Sequence, residues 1–272
     1  MRERNALVVG INYPGTSMAL RGCVRDANDW ADVLTERGYT VRRLLDADAT
    51  RANILAGLLW ITDHTGYLGR GVFTFSGHGT VVPDRDGDEA DALDEAIVPV
   101  DYARSGIITD DDLHTVLSHR KFGARLLTIS DSCYSGTLMR NLAAMTDPQQ
   151  PGPTARFMPP EMVLDRRQYV AAARLAGPDQ RVVGKGISRN NGVLLSGCDE
   201  DEVSYDAFIS GAYRGAMTFH AIAALKALPP GATYAQWHAA IRDPRVGLPS
   251  KTYPQSPQLQ ADWHQRHWHA LA

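Results

Sequence analysis

Cysteine is scarce in this chain, and so is any excess of charge. Three cysteines among 272 residues, an odd number, do not suit a disulfide framework and point to a reducing cytosol. The formal net charge is only −3, which removes the electrostatic case for a nucleic-acid partner or an anionic membrane surface. No apolar run is long enough to span a bilayer. The richest, Ala216 to Leu228, is interrupted by His220 and Lys226 and reads as a core helix. After Met1 come Arg2, Glu3, Arg4 and Asn5, not the apolar stretch of a secretory signal.

What is present is an ordinary globular composition, 44% hydrophobic and 22% charged, with enough apolar material for a substantial core. Strand-like and helix-like pieces alternate from Arg4 to Arg140. Ala6 to Ile11 is a short buried-strand run, and Asp26 to Gly38 reads as a helix that Asp26 can cap and Gly38 closes. Tyr39 to Leu45 is a second strand, and Thr50, with Asn53 three residues on, starts a helix running to about His64. Gly71 to Ser76, Ala96 to Val100 and Ala124 to Ser130 are further strands, and Asp110 to Ser118 is helical. Such alternation implies crossover connections and an α/β fold with a mainly parallel sheet and helices on both faces. From Thr146 to Pro153 the composition turns to Pro, Gln and Gly, and Arg156 to Asn191 stays patchy and basic. Order returns with a strand at Gly192 to Gly197, a helix at about Gly215 to Leu228 and a last helix at Thr233 to Ile241, while the polar tail from Pro249 finds no place. The expected organisation is therefore residues 1–140 as the larger part, 141–191 as an irregular basic linker, and 192–272 as a smaller part forming one compact domain with the first.

Two strand ends carry chemistry. One finishes in Ser76-Gly77-His78-Gly79, the other in Asp131-Ser132-Cys133-Tyr134-Ser135-Gly136. In a parallel sheet the carboxyl ends of the strands share one edge, where α/β proteins build their sites. Glycines on both sides of His78 allow a sharp turn and a close approach to a substrate. A thiol is a nucleophile near neutral pH, an imidazole raises its ionised share, and the same imidazole can protonate a leaving amine. Alone, such a His is more often structural and such a Cys a small core hydrophobe. It is the pairing, His first and Cys 55 residues later, that matches the spacing of about 50 residues in caspases.

These two motifs resemble the catalytic region of the metacaspases, and Tyr134 after the Cys resembles their prokaryotic relatives, the orthocaspases. Gly10 to Tyr13 and Leu20 to Ala27 are similar to the family's opening, Asp84 to Asp101 to its acidic loop and following strand, and Val193 to Ser204 with Gly215 to Thr218 to its smaller subunit. The resemblance covers roughly residues 5–140 and 190–228. It implies a caspase-like fold with a central sheet of about six strands, and a cysteine endopeptidase that cuts after Arg or Lys with Cys133 as thiolate and His78 as acid and base. Gly79 and Cys133 would supply the oxyanion N–H groups. Asp26 and Asp131, with Cys23 and Ser76, would line the primary specificity pocket, where two carboxylates suit a guanidinium. The implied partners are protein or peptide substrates, with no nucleic acid or membrane, and the enzyme would act as a monomer.

No cofactor is implied as required. The acidic run from Asp84 to Glu95 has carboxylates at alternate positions, but Glu89 stands where an EF-hand loop needs glycine. Many members of the family use calcium, for which Asp110 and Asp111, with Asp112, are the candidate ligands; Arg140, near the place of a further acidic ligand, opposes a cation. An enzyme selective for basic residues would find sites in its own linker, at Arg156, Arg166, Arg167, Arg174, Arg181, Lys185 or Arg189. Other readings stay open. One is a catalytically silent scaffold of the same fold, and another is a legumain-like or clostripain-like peptidase. A Rossmann nucleotide-binding protein is disfavoured because no Gly-x-Gly-x-x-Gly follows the first strand.

Overall fold

The structure, a computed structural model, describes residues 2–83, 93–134, 152–164, 192–199 and 202–272. In chain order the described strands are β1 (Arg4–Gly10), β2 (Thr40–Leu45), β3 (Arg70–Ser76), β4 (Gly79–Pro83), β5 (Leu93–Ile97), β6 (Ile108–Thr109), β7 (Arg125–Asp131), β8 (Thr154–Ala155), β9 (Val193–Ser196), β10 (Tyr205–Ile209), β11 (Ala212–Gly215) and β12 (Gln258–Gln260). Five helices of two turns or more accompany them: α1 (Cys23–Glu36), α2 (Arg51–His64), α3 (Asp110–Ser118), α4 (Ala216–Ala227) and α5 (Tyr234–Ile241).

A six-stranded sheet in the order β12-β9-β7-β3-β1-β2 forms the centre. All its pairs are parallel except β12 with β9. Side chains alternate across it with the period of two that a strand imposes. Ala6, Val8, Val72, Leu127 and Ile129 face one apolar cluster, shared with Ala27, Trp30 and Leu34 of α1, Met217 and Leu225 of α4 and Trp237 and Ile241 of α5. Leu7, Val9, Phe73, Phe75 and Leu126 face the other, shared with Ile54, Leu58 and Ile61 of α2 and Leu113 and Leu117 of α3. With apolar residues on both faces, the strands read as near-continuous hydrophobic runs. The expected mainly parallel sheet of about six strands with helices on both faces is what the chain forms.

Local signals placed most helices well. The Thr50 side chain accepts a hydrogen bond from the Asn53 N–H at 3.2 Å, and Thr109 and Thr233 each head a capping box. Three expectations need correction. Helix α1 starts at Cys23 behind Gly22, so Asp26 lies inside its first turn and caps nothing; the carboxylate has been taken over by distant partners. The strand expected at Ala96 to Val100 is shifted to β5 and lies outside the central sheet. It pairs antiparallel with β4, which the sequence reading had not separated from the loop after His78, and with β6. The unplaced tail supplies β12, the antiparallel edge beside β9, and a single helical turn at Trp263–Arg266. A further hairpin, β10 with β11, was also missed, although Ser210-Gly211 between two β-prone runs is a turn signal; both residues have positive φ, at 51° and 82°.

Among the described residues no helix is long and apolar enough to cross a membrane. Strand β9, from the later part of the chain, pairs in parallel with β7. Trp237 of α5 meets Trp30 of α1 edge to face, with ring centroids 6.1 Å apart, and its Nε1–H donates to the Ala221 carbonyl at 2.8 Å. Trp237→Ala is therefore expected to cost about 3–5 kcal/mol of unfolding free energy while leaving one cooperative transition in chemical denaturation followed by circular dichroism. Two separate transitions would show that the early and late parts of the chain do not share this core.

Candidate active site

Register sets the geometry. Gly10 of β1, Ser76 of β3 and Asp131 of β7 stand side by side at the carboxyl ends of their strands. His78 and Cys133 each follow two residues after one of these abreast positions. Their loops touch: a Cβ at position 79 would collide with the Cys133 carbonyl oxygen, so only glycine lets the two turns come this close.

His78 is fully buried. Its backbone N–H donates to the Tyr13 hydroxyl at 3.1 Å, which in turn donates to the Val98 carbonyl at 2.6 Å, and the two rings lie 4.8 Å apart. The imidazole Nε2 lies 2.7 Å from the Met18 carbonyl oxygen. A carbonyl can only accept, so Nε2 carries the hydrogen and Nδ1 is the basic nitrogen. Among the described residues Nδ1 makes no hydrogen bond of good geometry. Burial pulls the imidazole down to about 4, although the Met18 carbonyl and the Arg156 backbone work against that pull, so the ring is neutral near pH 7. Met18 could not be read from the sequence, because a backbone carbonyl in an irregular loop has no motif.

Cys133 is also fully buried, where an attacking thiol would be expected to face solvent. Its Sγ receives the Ser204 N–H at 2.7 Å and lies 3.3 Å from the Ser204 carbonyl oxygen. The Tyr134 hydroxyl bonds Ser130 at 2.9 Å and Ser132 at 3.0 Å, bracing the turn that bears the cysteine.

The cleft is filled by the chain itself. Arg156, one of seven basic residues singled out in the stretch expected to be irregular, has a wholly buried side chain. Its guanidinium reaches Asp26 at 2.6 Å, Asp206 at 3.1 Å and Asp131 at 3.2 Å, and donates to the Ser76 hydroxyl at 2.6 Å. Each carboxylate is held by donors besides the arginine. Asp26 accepts from Ser76 and from the Gly215 N–H, Asp131 from the Thr218 N–H and hydroxyl, and Asp206 from the Arg21 and Gly22 N–H groups. Burial alone would lower the Arg156 guanidinium, but Asp131, Asp26 and Asp206 outweigh it and hold it well above its usual range. Burial pushes the Asp26 carboxyl up to about 6 against the pull of that guanidinium. Cys23 lies beside the same group, with burial pushing its thiol up. Cys23, Asp26, Ser76 and Asp131 thus lie around one guanidinium, with Asp206 as a third carboxylate.

The backbone of this segment is held as firmly as the side chain. The Arg156 carbonyl oxygen accepts from the Gly79 N–H at 2.9 Å and the Cys133 N–H at 3.1 Å, and its own N–H donates to the Ser204 carbonyl at 3.1 Å. Strand β8 pairs antiparallel with β10, and Phe157 bridges to Gly79. The linker is therefore not irregular throughout, because Thr154–Ala155 form β8 and Phe157 bridges to Gly79. Arg166, Arg167, Arg174, Arg181, Lys185 and Arg189 lie outside the described residues, as do Asp84, Asp86, Asp88, Glu89, Asp91 and Arg140.

Asp112 pairs with Arg51 at 2.7 Å and closes the cap of α3, of which Asp110 and Asp111 form the first turn. Among the described residues no three carboxylates, thiols or imidazoles gather as metal ligands would.

Comparison with known proteins identifies the family. The model of the metacaspase, peptidase C14 domain matches residues 4–142. Metacaspase-1 of Cryptococcus neoformans is 34% identical over 295 residues, covering 95% of this chain and 62% of that protein, so the chain spans less than two thirds of its length. Metacaspase-1B of Aspergillus oryzae is 32% identical, covering 94% and 67%, and Metacaspase-1 of Mycosarcoma maydis is 32% identical, covering 95% and 70%. The crystal structure of protein GSU0716 from Geobacter sulfurreducens superposes with a TM-score of 0.70 at 26% identity, covering 99% of this chain and 98% of that one. With its paired His and Cys turns on one rim of a parallel sheet, the chain belongs to the metacaspases, a family of cysteine peptidases.

Proposed function

We propose that this chain is a cysteine endopeptidase that cleaves after arginine, and that its own Arg156–Phe157 bond is a substrate. The observation that carries the reading is the seating of Arg156. Its side chain is surrounded by carboxylates, and its carbonyl oxygen points at the two N–H groups next to His78 and at Cys133. A carbonyl held by two converging backbone donors is polarised toward the oxyanion it becomes in acyl transfer. The docked segment also adds a short strand beside β10, a common way for a protein to bind an extended peptide.

The chemistry follows from the atoms present. The Cys133 thiolate attacks the Arg156 carbonyl carbon, forming a C–S bond and placing negative charge on the oxygen between Gly79 N–H and Cys133 N–H. The proton given up by the thiol passes to Nδ1 of His78. As the tetrahedral species collapses, Nδ1 returns that proton to the Phe157 nitrogen, the C–N bond breaks, and Arg156 remains as a thioester. Water, deprotonated by the same nitrogen, then releases the Arg156 carboxylate and the sulfur. The Met18 carbonyl keeps the ring in the tautomer this relay needs. Burial of Cys133 is then the condition of an occupied cleft, whereas the silent-scaffold reading takes the same burial as permanent.

Arginine should be preferred over lysine. A guanidinium spreads its donors over two nitrogens and reaches three carboxylates and a hydroxyl, whereas an ammonium is a single point of charge. An acidic side chain would be repelled. Fluorogenic peptides ending in Arg should be cleaved about tenfold faster in kcat/KM than those ending in Lys, a difference of about 1.4 kcal/mol, with no turnover of those ending in Asp. Asp206→Asn should narrow the Arg-to-Lys ratio, and turnover of Asp peptides would overturn the pocket assignment. On a denaturing gel the purified protein should resolve into two pieces, the second beginning at Phe157 by N-terminal sequencing, while Cys133→Ala stays whole. A Cys133→Ala protein that splits at the same bond would sink self-processing, and intact protein that also leaves every peptide uncut would favour the scaffold.

A further inference from the structure

The two residues after Arg156 are held as specifically as the arginine. Phe157 is 3% exposed and Met158 is 0% exposed. Phe157 belongs to a small apolar cluster that includes Cys133, Cys198, Val203 and Tyr205. Met158 points into a different cluster, the large one containing Tyr13, Ile97, Val98 and Ile108. Successive residues thus enter two separate apolar clusters.

The backbone anchor is Gly79 of β4. Its N–H donates to the Arg156 carbonyl, and its own carbonyl accepts the Met158 N–H at 2.8 Å. One residue next to His78 therefore grips the chain on both sides of the bond after Arg156. The segment then passes Pro159 into a helical turn at Pro160–Val163, so the extended register covers only the positions closest to that bond.

We propose that the primed side of this cleft is a two-residue apolar subsite, built on Gly79, that selects large apolar side chains at the two positions following the cut. The substrates it favours are peptides in which arginine is followed by a pair such as Phe-Met or Leu-Leu. This rests on Arg156 being the residue before the cut. Met158 has the more enclosed environment, so the second primed position discriminates at least as strongly as the first. Small or charged residues there leave an apolar cavity empty or strand a charge in it.

The test uses the purified enzyme and internally quenched peptides with one common unprimed sequence ending in Arg. The primed pairs are Phe-Met, Phe-Ser, Ser-Met, Ser-Gly and Asp-Asp. An Arg–aminomethylcoumarin substrate with no primed residues serves as the control. Phe-Met is expected to exceed Ser-Gly and Asp-Asp by at least tenfold in kcat/KM, the order expected for filling an apolar pocket, with Phe-Ser and Ser-Met in between. Phe-Met-amide should also inhibit hydrolysis of the coumarin substrate competitively, and Asp-Ser-amide should not. Turnover of the coumarin substrate with all five quenched peptides within twofold of one another would overturn the subsite while leaving arginine cleavage intact. Failure on the coumarin substrate as well would overturn arginine cleavage itself, and the subsite with it.

Discussion

A guanidinium sealed among three carboxylates organises this molecule. Removing even one ion from water costs several kcal/mol after relaxation, and a buried group of charges is tolerable only when nearly every oxygen and N–H is partnered. Here Asp26 comes from the first turn of α1, Asp131 from the end of β7 and Asp206 from β10, and their further donors lie at Arg21, Gly22, Ser76, Gly215 and Thr218. These elements are scattered along the chain, so forming the pocket requires the early and late parts to fold against each other. Gly215 shows how tight the fit is, because a Cβ there would run into the Asp131 carboxylate and the Arg156 guanidinium.

The same electrostatics explain why such a pocket awaits a cation. Burial already lifts Asp26 to about 6 with the guanidinium in place. Without that cation the carboxylates would face one another, and protonation or water would have to replace it. Arg156 relieves this, and the Gly79 and Cys133 N–H groups hold its carbonyl while its own N–H donates to Ser204. Charge pairing and backbone alignment thus meet in one residue.

The placing of His78 beside Cys133 depends on a different constraint, sheet register. A slip of one residue between β3 and β7 would turn Ser76 or Asp131 to the opposite face and separate the two turns that follow. Tyr13, Val98 and the Met18 carbonyl then fix the histidine, and the Ser204 N–H steadies the sulfur.

Short apolar runs, the Thr50 cap ahead of α2, and two Gly-bearing turns at strand ends were enough to read an α/β sheet and to single out His78 and Cys133. Those features are local: a cap spans three residues and a buried strand shows its apolar run within itself. What only the tertiary structure decided are pairings with no local trace. Asp206 meets Gly22 across 184 residues and Arg156 meets Asp26 across 130; the tail closes the sheet as β12; and Arg156 occupies the cleft. Hydrogen bonds and ion pairs of that span depend on where the chain returns in space, which residue type and spacing do not encode.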